Sequence, residues 1–446
     1  MQQQHKFGVR LTPLLAVAAT LGQIGGLSTA QAQSVDALTP ATTPKGTRPL
    51  DLVINTDAGV DDAAALAWLL SQKDYPVNIL GIGTVAGNTT VDNATNNVLT
   101  VLDTLGQQNI PVAVGAAAPL SEPLSRTGSL LHGPDGFWGT GAEHPHDLSS
   151  LSHDVPSFYR DLAQTHPGAT LLSLGPVTNL ARTLEQYPEA MRSFKQISIL
   201  GGAKNGGNIT PNAEFNIWQD PEAANELLSA GLPITIVPLD AFNKFTLTSS
   251  NLQTLQTQGS QAAKLIAEPL KNYAVAQTSL GGATDASIPD VAAAIYAVDS
   301  SLGTTQSALV KVVTQPGLAR GETDIGLTLV ERVSLIASDA ELSQLADQVF
   351  SDPTFDLLTA LGDILAREPD NATVVTDIEQ ARMRELFLSA LAPVSVPEPS
   401  SVLGLLPISA IGAAALLKRK QKVKKEKGDN GRKTASCPLV PFVKGY

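Results

Sequence analysis

Four carboxylate or amide side chains crowd one short stretch of this chain. Asn55, Asp57, Asp61 and Asp62 fall within eight residues, directly after the apolar run Leu52-Val53-Ile54. An aspartate at a helix start satisfies free backbone N–H groups and the helix dipole, which accounts for one of them. It does not account for three carboxylates at one strand end, whose mutual repulsion is costly unless a cation neutralises it. Hard oxygen donors favour calcium or magnesium over zinc. The single cysteine, Cys437, lies near the C-terminus, so neither an intrachain disulfide nor a cysteine-based metal site can form.

The elements that must position these groups recur along the chain. Leu52-Val53-Ile54 reads as a strand that ends in the turn Asn55 to Gly59, and Asp61 to Leu70 reads as a helix. Val77 to Val85 runs into Gly87-Asn88 and a helix from about Asp92 to Leu105. Thr170 to Leu174 runs into Gly175-Pro176 and a helix from Asn179. Ile197 to Leu200 meets Gly201-Gly202, and Ile234 to Leu239 meets Asp240. Apolar strands alternating with helices imply an α/β fold: an open, mostly parallel sheet with helices on both faces. Ligands then bind at the carboxyl ends of the strands. No internal repeat of fixed period is present.

Composition sets the outer bounds. The chain has 446 residues, 43% apolar and 16% charged, which excludes a disordered or collagen-like chain. A net charge of -12 makes it a poor nonspecific nucleic-acid binder, and no nucleic-acid partner is expected. The charge is uneven. Residues 1–32 hold Lys6 and Arg10 and no acids, residues 418–446 hold ten bases and two acids, and the stretch between holds 40 acids against 18 bases.

Both ends read as addresses. The uncharged stretch Leu11 to Leu27 followed by Ala30-Gln31-Ala32 predicts a signal peptide over residues 1–32. Residues 33–49, rich in Ser, Thr and Pro, read as a linker. At the other end, a Pro-rich linker over 392–399 contains Val396-Pro397-Glu398-Pro399. An uncharged 18-residue run, 400–417, follows, long enough to span a bilayer. The basic tail 418–446 comes next, opening on Lys418, Arg419 and Lys420, and would hold that end in the cytoplasm. This order resembles the PEP-CTERM sorting signal. The resemblance implies export by sorting machinery, transient anchoring in the inner membrane through the C-terminal helix, and a mature protein in the periplasm, at the cell surface or outside the cell. Gly428 to Tyr446 extends beyond the usual end of such signals.

The segment 50–391 resembles the inosine–uridine-preferring nucleoside hydrolases. Asn55-Thr56-Asp57-Ala58-Gly59-Val60-Asp61-Asp62 is similar to the family's aspartate-rich motif, and Val85-Ala86-Gly87-Asn88 with Asn97 to its second. His132-Gly133-Pro134-Asp135-Gly136 resembles the HG-x-DG loop, and Gly175-Pro176-Val177-Thr178-Asn179 the GPLTN turn. Gly207-Asn208, Ala213-Glu214-Phe215-Asn216 and Asp220-Pro221-Glu222-Ala223-Ala224 resemble one long block. The resemblance implies a Rossmann-like core and calcium-dependent hydrolysis of a ribonucleoside to ribose and free base. Asp57, Asp62, the Leu174 carbonyl and Asp290 would hold the ion. Asp57 would also be the general base toward a water acidified by the metal. Asp61, Asn88, Asn208, Glu214 and Asn216 would grip the ribose, and His132 lies at a position that could contact the base. The resemblance also implies a homo-oligomer. Residues 251–300 would form a helical flap carrying Asp290, and 308–390 a strand region around Gly317 to Asp324 with closing helices.

Local structure offers competing roles for several of these residues. Asn88 and Asn208 flank glycines and suit turns. Glu214 and Asn216 suit helix caps, and His132 a loop histidine. Trp138 could stack on a purine or simply pack, Trp68 suits the core, and Trp218 either. There are three departures from the family pattern. Pro289 stands where many members carry a histidine that helps protonate the leaving base, and all six histidines lie at or before His166. Asn55 replaces a usual aspartate, removing one negative charge near the metal, and Asp240-Ala241-Phe242 replaces a usual Asp-Val-Thr. Two alternative functions follow: a non-catalytic nucleoside- or ribose-binding exported protein, and a hydrolase of another N-riboside.

Overall fold

Apolar runs that do not alternate must be covered on both faces. Strand β1 (Leu50–Thr56) shows this directly: Leu52 and Ile54 enter one core and Val53 the opposite one. The computed structural model describes residues 49–282 and 284–393. The chain divides after Val394, and every described residue lies in the first of its two units. The sequence-expected signal peptide, the linker up to residue 48, and the C-terminal sorting segment and tail fall outside the described residues. Among the described residues no helix is long and apolar enough to cross a membrane.

The main sheet also contains β2 (Val77–Thr84), β3 (Val112–Val114), β4 (Thr170–Ser173), β5 (Gln196–Leu200) and β6 (Ile234–Val237). After a two-stranded ribbon, β7 (Thr246–Leu247) with β8 (Ala286–Ser287), it gains β9 (Gly303–Val312), β10 (Thr323–Gly326) and β11 (Ala372–Ile378). Its order is β10-β9-β11-β6-β5-β4-β1-β2-β3. The strands from β11 to β3 run parallel, β9 pairs antiparallel with β11, and β10 antiparallel with β9. The chain moves outward from β1 to β3 and then returns to β4 on the other side of β1. Connections therefore diverge at β1 and β4, and a crevice opens at their carboxyl ends.

Helices Val60–Ser71, Val91–Thr104, Gln261–Ser279, Pro289–Val298 and Gln380–Ala390 cover one face. Val155–Thr165, Thr178–Gln186, Pro188–Ser193 and Pro221–Leu228 cover the other. A third, smaller core joins Leu329–Ile336, Asp339–Ser351 and Leu357–Leu365.

Two sequence expectations change. Residues 251–300 do not form one flap. Ser249–Gln258 and Gln261–Ser279 are followed by Pro289–Val298, a separate helix buried from Asp290 to its end, so Asp290 sits on a core element. Within 308–390, Gly317 to Asp324 is mostly turn, with strand only from Thr323. Ala372–Ile378 lies among the expected closing helices yet enters the sheet between β6 and β9. Its partners are distant in sequence, so local pattern does not reveal it.

Trp68 packs in the first core, fully buried, with its indole N–H donating to the Leu386 carbonyl at 3.2 Å. Trp68→Ala should cost about 3–5 kcal/mol, read as a lowered denaturant midpoint at unchanged slope. A cost below ~1 kcal/mol would contradict this packing.

Candidate active site

The aspartate-rich turn is built by its own side chains. At the end of β1, Ala58 takes φ 40, a left-handed conformation that is unfavourable for a residue with a Cβ. Ala58 N–H donates to Thr56 Oγ1 at 3.0 Å, and the Asn97 amide donates to the Ala58 carbonyl at 3.0 Å, which hold that conformation. Asp62, in the first turn of Val60–Ser71, accepts from Thr56 Oγ1 (2.5 Å), Gly59 N–H (2.9 Å) and Asn88 Nδ2 (3.1 Å). Asp57 accepts from Asn88 N–H through Oδ2 at 2.6 Å, while its buried Oδ1 has no hydrogen-bond partner among the described residues. A Cβ at Gly87 would collide with Asp57 Oδ2, and one at Gly175 would lie 2.6 Å from Oδ1. Asp57 thus fills a slot that only two glycines leave open.

Asp61 and Asp290 complete the group. Asp290 occupies the first turn of Pro289–Val298, so two helix N-termini face this cluster with their favourable dipole ends. One carboxylate oxygen each from Asp61, Asp62 and Asp290 lies within 4.8 Å of the others. Asp61 Oδ1 and Asp290 Oδ1 are buried without hydrogen-bond partners among the described residues. Burial, then the neighbouring Asp62, hold the Asp57 carboxyl well above the usual carboxylate range, against the Asn88 N–H that lowers it. Burial, then Asp61, push Asp290 the same way and raise Asp62 to about 6. Carboxylates so placed need either protons or a cation, and unpartnered hard oxygens fit a divalent ion. These residues could hold such a metal.

Above this cluster lies a cavity of about 180 Å³. Asp61, Asn88, Asp290, Glu214, Asn216 and Asn208 supply polar lining, and Leu174 and Leu200 line it too. Glu214 caps the short helix Phe215–Gln219, accepting from Asn216 N–H (3.0 Å) and Ile217 N–H (3.2 Å). It also accepts from Gly202 N–H at 2.9 Å, and burial raises its pKa to about 7. The Asn216 amide donates to the Leu174 carbonyl (2.7 Å) and the Leu200 carbonyl (3.1 Å), tying the ends of β4 and β5. Asn208 Oδ1 accepts from Phe215 N–H at 2.9 Å. His132 Nδ1 accepts from Val60 N–H at 3.1 Å and lies 3.6 Å from Asp61 Oδ1. That bond leaves its other nitrogen as the protonated one in the neutral ring, and burial lowers its pKa. Leu130, Phe215, Phe242 and Leu280 supply apolar lining, and the strongly exposed Leu130 and Leu280 mark the open end.

The structure therefore brings Asp61, Asn88, His132, Leu174, Asn208, Glu214, Asn216 and Asp290 to one cavity, with Asp57 and Asp62 buried beside it. Asn88, Asn208, Glu214 and Asn216 also bear the local ties expected of turn and cap residues, so the two roles coexist. Asn55 points elsewhere. Its amide donates to Ser173 Oγ (2.9 Å) and the Pro176 carbonyl (3.0 Å), and its Oδ1 accepts from Asn179 Nδ2 (2.8 Å). An amide with donors to spare is what this position uses, so the departure at Asn55 serves the β1–β4 junction. Pro289 fills the first turn of its helix, a position that suits proline, and also lines the cavity. Trp138 is not among the cavity-lining residues. Its indole donates to the Leu131 carbonyl at 2.9 Å. Trp218 lies under the Arg126 guanidinium, 5.9 Å from its carbon.

Sequence reasoning missed Tyr273 and Arg126. Tyr273 O–H donates to Asp61 Oδ2 at 3.2 Å, and its ring lies 5.1 Å from that of His132. It comes from Gln261–Ser279, more than 200 residues away in sequence, with no motif around it.

A carboxylate cluster at the switch point of a parallel sheet, beneath a cavity of amides and carboxylates, makes this an α/β protein with an acidic pocket suited to a polar, hydroxyl-rich ligand. The family model for inosine-uridine preferring nucleoside hydrolase matches residues 52–385, and the chain belongs to this family. It is 33% identical over 302 residues to the pyrimidine-specific ribonucleoside hydrolase RihA of Shewanella woodyi, covering 68% of this chain and 94% of the relative. It is 34% identical over 279 residues to the non-specific ribonucleoside hydrolase RihC of Klebsiella pneumoniae, covering 62% and 88%. Among solved structures, a plant nucleoside hydrolase, PpNRh1, aligns at a TM-score of 0.63 and 27% identity, covering 77% of this chain and 99% of that one.

Two outcomes test this geometry. Asp62 and Glu214 have folded-state pKa values above their unfolded ones, so the native protein binds more protons between about pH 4 and 7. Metal-free stability should fall as pH rises through that window, and a divalent cation should restore it at pH 7–8, measured by thermal unfolding with and without chelator. Asn55→Asp, which removes a buried donor, should cost about 1–3 kcal/mol without tightening cation binding measured by calorimetry.

Proposed function

We propose that this protein is a calcium-dependent ribonucleoside N-ribohydrolase that acts outside the cytoplasm and releases ribose and a free base. The observation that carries the reading is the buried set Asp57, Asp61, Asp62 and Asp290, with unpartnered oxygens on three of them, at the floor of a cavity in a chain of this family. Calcium fits a crowd of oxygen donors with room for water and ribose hydroxyls, and when bound it would acidify the attacking water.

The chain's own groups do the rest. Asn88 N–H pins one oxygen of Asp57, leaving Oδ1 to accept the proton of water that attacks C1′. The C1′–N bond breaks with its electron pair passing to the base nitrogen, while the ring gains oxocarbenium character that nearby carboxylates stabilise. Asp61, Asn88, Asn208, Glu214 and Asn216 orient the ribose. Because the polar groups of Asp61, Asn88, Glu214 and Asn216 are buried, a missing 2′-hydroxyl leaves partners unsatisfied.

Export and membrane anchoring are supported by the sequence of the two ends: the uncharged stretch before Ala30-Gln31-Ala32, and Pro397-Glu398-Pro399 followed by an 18-residue apolar run and lysines.

The decisive assay measures free base released from a nucleoside panel with calcium or with chelator. Ribonucleosides should turn over only with calcium, and 2′-deoxyribonucleosides slower by a factor on the order of 10⁴. Asp57→Ala and Asp290→Ala should each lower turnover by at least ~10³-fold and weaken calcium binding together. Nucleoside binding without release from any member of the panel would favour a binding protein, and full turnover in either variant would remove the metal assignment.

A further inference from the structure

Breaking the C1′–N bond leaves an electron pair on the base, and some group must meet that charge. The open end of the cavity offers few candidates. Pro289 supplies no proton donor. Tyr273 already donates its hydroxyl proton to Asp61, Glu214 accepts backbone N–H bonds at both carboxyl oxygens, and Asp61 and Asp290 belong to the carboxylate cluster that would hold the cation. His132 accepts from Val60 N–H, so its ring is a neutral hydrogen-bond donor without charge to offer. Arg126 is the one cationic side chain among the described residues that line the cavity.

Its setting suits that task. Arg126 is exposed at the open end and forms no ion pair among the described residues. Its guanidinium rests 5.9 Å from the centre of the Trp218 ring, a weak contact that restrains it without neutralising it. The backbone is fixed: the Arg126 carbonyl accepts from Gln219 Nε2 at 2.8 Å. Two residues on, a Cβ at Gly128 would lie 2.8 Å from both Asn88 Oδ1 and His132 Cδ2, so the loop passes close against the polar lining. With the ribose against the buried carboxylates, the base is left toward the open end, on the side of Arg126.

We infer that Arg126 contacts the leaving base and stabilises the negative charge it acquires. The inference rests on the hydrolase reading of the site. The base departs with the bonding pair as an anion held by the guanidinium, and solvent later protonates it. Water supplies oxygen to C1′ and its proton goes to Asp57, so the step needs no further reactant. A guanidinium remains protonated throughout and acts by charge and hydrogen bonds, not by proton transfer.

The test compares uridine and inosine with p-nitrophenyl β-D-ribofuranoside, whose aryl group leaves as a stable anion without help. In the full-length, calcium-loaded protein, Arg126→Gln should lower kcat/KM for the nucleosides by about 10²-fold and change the nitrophenyl riboside by less than about 3-fold. Arg126→Lys should recover part of the loss, and added guanidinium ion should raise the activity of Arg126→Ala on nucleosides alone. Equal losses on both kinds of substrate, or no loss on nucleosides, would overturn the inference while leaving the hydrolase reading intact. If the unaltered protein cleaves neither kind, that reading falls first. Retained nitrophenyl activity also shows that each variant has folded.

Discussion

Buried negative charge is the constraint around which this protein is arranged. Asp57, Asp61, Asp62 and Asp290 are almost completely removed from water within one small volume. Carboxylates so placed repel one another and resist ionisation unless something positive is supplied. The fold supplies part of it. Two helices begin at the cluster, Gly59 and Asn88 turn backbone N–H groups onto its oxygens, and Thr56 adds a hydroxyl. Three oxygens are still left without protein donors, and that remainder suits the cluster to hold a cation, which a merely capped helix start would not require.

Keeping such a cluster in register requires ties from distant parts of the chain. Asn179 bridges Asn55 and the Thr84 carbonyl, joining the ends of β1 and β2 to the turn after β4. Thr178 donates to Asp220, linking that turn to the start of Pro221–Leu228. Asp135 accepts from Phe137 and Gly139 N–H and shapes the loop that presents His132. Many residues in the motif-like stretches thus hold backbone in place, and comparatively few have atoms left for a substrate. Gly87 and Gly175 show the same pressure sterically, since a Cβ at either would displace Asp57.

The two ends of the cavity have opposite characters. The buried end is dense with carboxylates and amides, while the open end combines Leu130, Leu280 and Phe215 with one exposed guanidinium. The polar groups of Asp61, Asn88, Glu214 and Asn216 are held rigid by buried hydrogen bonds. The apolar end is lined by side chains that tolerate different planar rings. Such a division allows strict recognition of the sugar together with looser recognition of the base.

Much of this was legible in sequence. The strand–turn–helix units, the parallel sheet and the aspartate-rich turn follow from local pattern, because apolar runs, turn residues and helix starts are properties of neighbours in the chain. The order of motifs also pointed to the residues that share the cavity. Other features depended on contacts across hundreds of residues. That Asn55 faces Ser173 and Asn179, that Asp290 rides a buried helix, that Tyr273 reaches Asp61, and that Ala372–Ile378 enters the sheet beside β6 were all decided by packing. The sequence by itself determined which groups could bind a cation. Tertiary structure decided which of their oxygens remain without partners, because burial and distant hydrogen bonds, not residue type, fix how much of a carboxylate's charge is left to be met.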